Sequence, residues 1–190
     1  MAQAKSLTAV EIQQILTHID ANANAKRNRV MFLLTLQAGL RVGEVAQLLL
    51  SDVRNTDGSI KAEVYFSAER VKHHHARTVF LNTNLQQELA DYIATRGWFD
   101  NEQALFTTLR GARKAFTANT LAQMFHYIYK NAGVFQGSSH SGRRTFITTL
   151  AQKGIGVRVL ASLAGHRSLN TTMKYIDVND EMKRNAVELV

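Results

Sequence analysis

Apolar residues recur at helical spacing along most of this 190-residue chain, and one segment, residues 60–81, departs from that spacing. Residues 60–66 and 77–81 combine β-branched, aromatic and charged side chains in the manner of strands. The pattern predicts an α+β fold that is mainly α-helical, with a small antiparallel β-sheet or hairpin near residues 60–81. Since no internal repeat is present, we expect residues 1–190 to form a single domain.

Caps and glycines indicate where the helices begin and end. Thr8 and Glu11 have the spacing of a capping box, and glycine often follows the last turn of a helix. A polar, basic connector is expected at residues 22–29. The candidate caps and stops are Asn82, Asn119 or Thr120, Gly39, Gly154 and Gly165. The predicted helices cover residues 8–21, 30–37, 42–50, 85–95, 120–129, 143–153, 157–164, 169–175 and 180–190.

Charge and composition narrow the class of protein. The formal net charge is +8, which favours a polyanionic partner, either nucleic acid or an anionic membrane surface. No apolar run reaches the roughly eighteen residues of a membrane-spanning helix, and the first residues lack the apolar stretch of a secretory signal. The absence of cysteine excludes disulfides and thiolate zinc sites and fits a reducing cytoplasm. We therefore expect a cytoplasmic protein.

The strongest single motif is residues 140–143, which read His-Ser-Gly-Arg at the start of an apolar helix. Backbone N–H groups and the helix dipole favour an anion at that end and disfavour cations. A basic helix start therefore breaks a local rule, as functional sites do. His140 and Arg143 are the candidate site residues, and Arg144 is a candidate second phosphate contact.

A second basic motif surrounds Arg41, which follows Gly39. An arginine fork binds phosphate in bidentate fashion, and Glu44, three residues on, could orient it. When this motif is taken alone, an ordinary surface ion pair at a helix start is the better interpretation.

His166 precedes Tyr175 by nine residues, and a turn followed by a short helix would bring both into one cleft. A tyrosine hydroxyl is a poor nucleophile at neutral pH unless cations or a base activate it. A half-buried structural tyrosine is the ordinary alternative.

The predicted hairpin turn is strongly basic. Lys72 on this turn could reach a DNA backbone or protonate a leaving oxygen, although a solvated lysine is the simpler interpretation. Three adjacent histidines, residues 73–75, cannot all face one ion, so no metal site is expected. The candidate DNA contacts are Arg70, His73, Arg77, Arg144 and Arg167.

Taken in chain order, five segments resemble the tyrosine recombinase (phage integrase) family, specifically its catalytic domain and its minimal fimbrial-switch-type invertases. The resemblance covers residues 7–178. The matching segments are Leu-Thr-x-x-Glu at 7–11, Gly-Leu-Arg-x-x-Glu at 39–44, Lys72 upstream of Arg-x-Val-x-Leu at 77–81, His-x-x-Arg at 140–143, and Gly165-His166 before Tyr175. Arg144 stands where relatives often carry histidine.

The resemblance implies a chemistry for each residue. Tyr175 would attack a phosphate of double-stranded DNA and form a 3′-phosphotyrosyl link, while Arg41 and Arg143 hold the non-bridging oxygens. His140 and His166 would add hydrogen bonds, with His140 a possible proton acceptor. Lys72 would protonate the departing 5′-oxygen. The covalent link conserves the bond energy, so neither ATP, a metal nor another cofactor is expected.

The resemblance also leads to expectations about domain content and oligomeric state, and it leaves two alternative functions. We expect no N-terminal core-binding domain within these residues, so that the chain is either a natural minimal recombinase or an excised catalytic domain. We expect a C-terminal helix at 179–190 that docks on its own core or on a neighbouring protomer. We expect a monomer or weak oligomer in solution and a tetramer on DNA. The alternatives are a DNA-binding regulator without catalysis and a DNA-relaxing enzyme of the type IB topoisomerase kind.

Overall fold

The computed structural model describes residues 4–70, 76–96, 100–108, 114–176 and 180–188, and the prediction of a mainly helical α+β fold is confirmed there. The two strands are β1 (Glu63–Phe66) and β2 (Arg77–Phe80). The helices are α1 (Ala9–Asp20), α2 (Ala25–Gln37), α3 (Val42–Ala46), α4 (Leu50–Val53), α5 (Thr83–Ala94), α6 (Ala118–Asn131), α7 (Ser141–Gln152), α8 (Val157–Ala164), α9 (Leu169–Met173) and α10 (Asp180–Val187). None of the described helices is long and apolar enough to cross a membrane.

The sheet has two antiparallel strands, as the sequence predicts. Glu63 lies opposite Phe80, and Phe66 lies opposite Arg77. Alternate residues of β1 are buried, so one face of the sheet packs on the core and the other meets solvent. The strands are shorter than predicted, because Ile60 makes only an isolated bridge to Arg54. Residues 71–75, on the predicted turn, lie outside the described part of the chain.

Helix α2 is the centre of the hydrophobic core. The predicted apolar run in it is buried throughout residues 30–34, and α2 packs against α1, α3, α5 and α7. The predicted connector at 22–29 is wrong at its end, because α2 already begins at Ala25 after Asn24 turns the chain with a φ of 64°. Arg29, the last residue of the predicted connector, lies in α2 at the rim of the core, where its guanidinium binds Asp20 and Glu88.

The predicted helix at 42–50 is interrupted. Its first part is α3, and α4 starts only at Leu50. Between them the backbone bonds to a distant segment: Leu105 N–H donates to Leu48 O at 2.7 Å, and Leu50 N–H donates to Gln103 O at 3.0 Å. These long-range bonds keep residues 47–49 from continuing α3 as a helix. Local helix propensity does not predict such an interruption.

Other helix boundaries differ by a few residues. Helix α6 is capped by Thr117, whose hydroxyl accepts from Thr120 N–H at 3.1 Å, and not by Asn119 or Thr120. Helix α7 begins two residues before the predicted start, and α9 ends at Met173. The capping box of α1, the Asn82 cap of α5 and the bounds of α8 are confirmed.

A close contact between α2 and α7 fixes where the basic motif of α7 lies. Gly142, in the first turn of α7, packs on buried Thr35 of α2, and a Cβ added to Gly142 would lie 2.1 Å from Thr35 Oγ1 and 3.4 Å from the backbone nitrogen of Leu36. Only a residue without a side chain allows this approach. The neighbouring Arg143 is thereby held against the end of α2.

We expect Gly142→Ala to lower the free energy of unfolding by about 1–3 kcal/mol, because the added methyl overpacks this contact. Urea denaturation monitored by circular dichroism measures the change. Gly43→Ala in α3 is the matched control, since its Cβ would make only an ordinary 3.6 Å contact with Ala118 Cβ of α6. Equal unfolding free energies for Gly142→Ala and the parent protein would show that α7 can move away from α2 without loss.

Candidate active site

Arg143 lies in the first turn of α7 and is 5% exposed. Its Nη1 donates to Gly39 O at the end of α2, and its Nη2 donates to Ala164 O at the end of α8. Burial, with the positive charges of Arg41 and Arg77, lowers the pKa of Arg143 to about 9. The guanidinium therefore stays charged at neutral pH, and two helix ends fix its direction.

Arg41 precedes α3 and approaches the same helix end. Its Nη2 donates to Gly165 O at 3.2 Å and lies 3.5 Å from Ala164 O, the oxygen that Arg143 also contacts. The predicted contact with Glu44 is confirmed, with Arg41 Nη1 to Glu44 Oε1 at 2.9 Å. The Arg41 side chain is 29% exposed, so part of it faces solvent.

Arg77 begins β2 and occupies a place that the sequence does not predict. Its Nη2 binds Glu44 Oε2 at 3.0 Å and its Nη1 donates to Leu163 O at 3.2 Å, and burial lowers its pKa. Gly165, at a φ of 61°, leaves room for it, since a Cβ there would lie 2.7 Å from Arg77 Cδ. The structure does not support the predicted DNA contact of Arg77, because its side chain is only 7% exposed and points inward.

The three guanidiniums and Glu44 form what we call the arginine cluster (Arg41, Arg77, Arg143 and Glu44). Carbonyls of the last turn of α8 and Gly165 accept from all three arginines, and the C-terminal end of a helix stabilises cations. Because one carboxylate faces three guanidiniums, the cluster keeps an excess of positive charge. Such a cluster can bind an anion such as a phosphate.

His166 follows α8 and is neutral at neutral pH. Arginine can only donate, so the 3.1 Å contact from Arg143 Nη2 makes His166 Nε2 an acceptor. The other ring nitrogen, Nδ1, then carries the proton and donates to Thr172 Oγ1 at 2.9 Å. Burial, followed by the charges of Arg143, Arg41 and Arg77, lowers the pKa of His166 to about 4.

Thr172 was not predicted as a site residue. Its side chain is fully buried and orients His166 through Nδ1, while Arg143 contacts the other ring nitrogen, Nε2. A signal was available in the sequence, because a hydroxyl six residues after His166, on the helix that leads to Tyr175, is placed to turn back toward the histidine.

Tyr175 lies just beyond α9, beside His166 as predicted. The two rings stack with their centroids 5.7 Å apart and an interplanar angle of 23°. Tyr175 N–H donates to Thr172 O at 2.9 Å, and the guanidinium carbon of Arg144 lies 5.1 Å from the centroid of the Tyr175 ring. The nine-residue spacing therefore brings histidine and tyrosine into contact.

Tyr175 borders an open cavity of about 980 Å³ that we call the Tyr175 cleft, lined by His140, Arg143, Arg144 and Tyr175 together with residues of the N-terminal segment. His140 is exposed at the N-terminal end of α7, and its Nδ1 lies 3.3 Å from Ser139 Oγ. The cleft thus presents a tyrosine, a histidine and two arginines to one volume of solvent. Phosphodiester chemistry through a tyrosine requires these group types.

One known protein family resembles this chain over nearly its whole length. The model of the Phage integrase family matches residues 5–182. The chain belongs to the phage integrase family. Tyrosine recombinase XerA of Pyrococcus horikoshii is 30% identical over 185 residues, which are 97% of this chain and 60% of that protein. The chain spans about 60% of the length of this relative.

Solved structures of the family share the fold. A crystal structure of XerA recombinase matches with a TM-score of 0.78 and 24% identity, over 100% of this chain and 66% of that one. The Tn1549 transposon integrase in complex with circular intermediate DNA matches with a TM-score of 0.73 and 20% identity, over 99% of this chain and 67% of that one. At this level of identity the likeness concerns the fold alone.

The other residues predicted as site or DNA contacts of this phage integrase family member lie in different surroundings. Arg70 binds Asp52 through both terminal nitrogens, at 2.7 and 2.6 Å, and so carries a structural ion pair. Arg167 is exposed directly after His166. Lys72 and His73 lie outside the described residues, so their predicted roles stay predictions.

Proposed function

We propose that this chain is the catalytic domain of a site-specific tyrosine recombinase that cuts and rejoins double-stranded DNA through a 3′-phosphotyrosyl intermediate. The single observation that carries the proposal is the contact of Tyr175 with His166, which itself binds the buried Arg143. Membership of the phage integrase family and the names of the relatives support it. Residues 1–190 are proposed as one domain, because the hydrophobic core from Leu7 to Val134 includes α2, and α7 packs on α2, α8 on α7 and α9 on α8.

The residues are proposed to divide the reaction as follows. The Tyr175 oxygen bonds to phosphorus as the bond to the 5′-oxygen breaks, and the proton of the hydroxyl passes to a base in the cleft, for which exposed His140 is the candidate. Arg143 and Arg41 donate to the non-bridging oxygens, where negative charge accumulates in the transition state. The 5′-oxygen needs a proton, for which Lys72 is the candidate. Attack by a 5′-hydroxyl of another strand reverses these steps and joins that strand.

Neutral His166 suits a particular part in this scheme. Its Nε2 accepts from Arg143 and its Nδ1–H donates to Thr172, so it holds the guanidinium without adding a charge. A charged imidazole would repel Arg143 at this distance. We therefore assign His166 to orienting Arg143 and supporting the Tyr175 ring. A hydrogen bond from His166 to phosphate, which the resemblance implies, would require a proton on Nε2 and the release of Arg143 Nη2.

Double-stranded DNA is the proposed partner. The net charge of +8 and the exposed cationic cleft fit a polyanion, and the related Tn1549 integrase was solved with circular intermediate DNA. Strand exchange between two sites requires several protomers, and we propose a tetramer on DNA. Helix α10, with Val187 70% exposed, is the element available for contact with a neighbouring protomer. A DNA substrate also fits the predicted cytoplasmic location.

The experiment that tests the function traps the covalent intermediate. We expect this protein, incubated with a library of nicked suicide duplexes of random sequence, to yield a protein–DNA adduct that resists SDS, since the short fragment that carries the released 5′-hydroxyl diffuses away and prevents rejoining. Sequencing of the trapped DNA identifies the site. The absence of any adduct with retained DNA binding would favour a non-catalytic regulator. Relaxation of a supercoiled plasmid that carries the recovered sites, without strand exchange between them, would favour a topoisomerase.

A further inference from the structure

Besides neutral His166, the Tyr175 ring has a cationic neighbour, Arg144, that the proposed chemistry does not use. Arg144 lies beside Arg143 on α7, half-buried, with its guanidinium carbon 5.1 Å from the centroid of the Tyr175 ring. A guanidinium over an aromatic face is attracted by the ring quadrupole. The direction of the Arg144 side chain therefore influences the direction of the ring.

The same arginine is tied to the start of the chain. Arg144 Nε donates to Ser6 Oγ at 3.2 Å. Ser6 Oγ also lies 3.3 Å from Thr148 Oγ1, one turn further along α7. Ser6 thus holds the Nε side of the guanidinium, while the guanidinium carbon lies over the Tyr175 ring.

The segment of residues 4–7 is held along α7 by further contacts. Leu7 is buried, and its N–H donates to Thr145 Oγ1 at 2.8 Å. Lys5 forms an ion pair with Glu11 of α1. Ala4 and Lys5 line the Tyr175 cleft together with Arg144. A displacement of this segment would therefore pull on Arg144.

Tyr175 depends on such contacts because it lies beyond the last residue of α9. The ring must be held in one orientation for in-line attack on phosphorus, since small errors in the position of a reacting group reduce the rate steeply. His166 contacts the ring, and Arg144 contacts it as well.

We propose that Arg144 is a positioning residue that couples the N-terminal segment, residues 4–7, to the orientation of Tyr175 through the contacts Ser6–Arg144–Tyr175. The inference rests on the proposed function, because it assumes that Tyr175 is the nucleophile. It differs from the sequence-based prediction that Arg144 binds phosphate directly. Loss of a phosphate contact lowers the affinity for DNA, whereas loss of a positioning residue lowers the cleavage rate of the fully bound complex.

The test measures single-turnover cleavage of a suicide duplex against protein concentration for the parent protein, Arg144→Gln, Arg144→Lys and Ser6→Ala. We expect Arg144→Gln to lower the saturating rate about tenfold with the apparent Kd within about threefold. Arg144→Lys should recover part of that rate, because it restores the charge without the planar stack. Ser6→Ala should lower the same rate by about threefold. Arg158→Gln, which removes an exposed charge on α8, is the matched control and should change neither value.

A second measurement needs no cleavage. With 3-fluorotyrosine incorporated, the ¹⁹F signal of Tyr175, assigned by its loss in Tyr175→Phe, should shift in Arg144→Gln and in Ser6→Ala, while the signal of exposed Tyr127 stays unchanged. A raised Kd with an unchanged saturating rate would make Arg144 a DNA contact only and overturn the proposal. An effect of Arg144→Gln without one of Ser6→Ala would overturn the coupling to the N-terminal segment. If the parent protein forms no adduct, the proposed function fails, and the fluorine signals still decide whether these residues position the ring.

Discussion

Tyr175→Phe is expected to abolish the covalent protein–DNA adduct and to leave DNA binding within about twofold. The substitution removes only the hydroxyl. The ring that stacks on His166 at 5.7 Å and faces Arg144 at 5.1 Å is retained, so the cleft keeps its shape and charge. Without the nucleophilic oxygen no phosphotyrosyl bond can form. Denaturing gel electrophoresis after incubation with the suicide duplex detects the adduct, and a mobility-shift titration measures binding.

Tyr127→Phe is the matched control for this experiment. Tyr127 is 61% exposed on α6 and is not among the residues that line the Tyr175 cleft. The same loss of a hydroxyl there should leave the adduct at the parental level. Adduct formation by Tyr175→Phe at the parental rate would remove Tyr175 from the role of nucleophile, and with it the proposed mechanism.

The second large effect is expected for Arg143→Lys, which should lower the single-turnover cleavage rate by at least about a hundredfold. Loss of a preorganised donor to the transition state costs about 3–4 kcal/mol. Lysine keeps a positive charge, but it cannot contact Gly39 O, Ala164 O and His166 Nε2 together and still present a planar pair of N–H groups to phosphate. DNA affinity should change little, since the lost interaction matters most in the transition state.

Folding must be separated from chemistry in this variant, because Arg143 is buried and binds two backbone carbonyls. Lysine is preferred to alanine for this reason: alanine would leave both carbonyls without their donor. Arg29→Lys is the control for replacing a hydrogen-bonded guanidinium, since Arg29 binds the carboxylates of Asp20 and Glu88 toward the opposite end of α2 from Gly39. Thermal denaturation of both variants reports the folded fraction. A folded Arg143→Lys that cleaves at the parental rate would exclude Arg143 from the reaction.

Much of the fold could be predicted from local signals. The capping box of α1, the Asn82 cap and the bounds of α8 depend on contacts within a few residues, so the sequence reveals them. The interruption between α3 and α4 could not be predicted, because bonds from Leu48 and Leu50 to residues more than fifty positions away decide it.

In the site, too, contacts between residues close in sequence could be predicted and contacts between distant residues could not. His166 and Tyr175 are close in sequence, and their contact follows from the turn and short helix between them. Arg77 looked like a surface cation on a basic turn, yet it is the buried partner of Glu44, thirty-three residues earlier. This pairing depends on how the fold places β2 relative to α3, which no local pattern encodes. Thr172 was overlooked because Thr171 lies next to it, and only the folded structure shows that the Thr172 hydroxyl contacts His166.

The shared use of the last carbonyls of α8 has a mechanical consequence. Arg143 and Arg41 both reach Ala164 O, and Arg41 also bonds the next carbonyl, Gly165 O. A small translation of α8 would therefore disturb the hydrogen bonds of both guanidiniums at once, while the Gly39 and Glu44 contacts would stay in place. A substitution that shifts α8 is thus expected to misplace both of the arginines that we propose as phosphate ligands, although neither of them is itself changed.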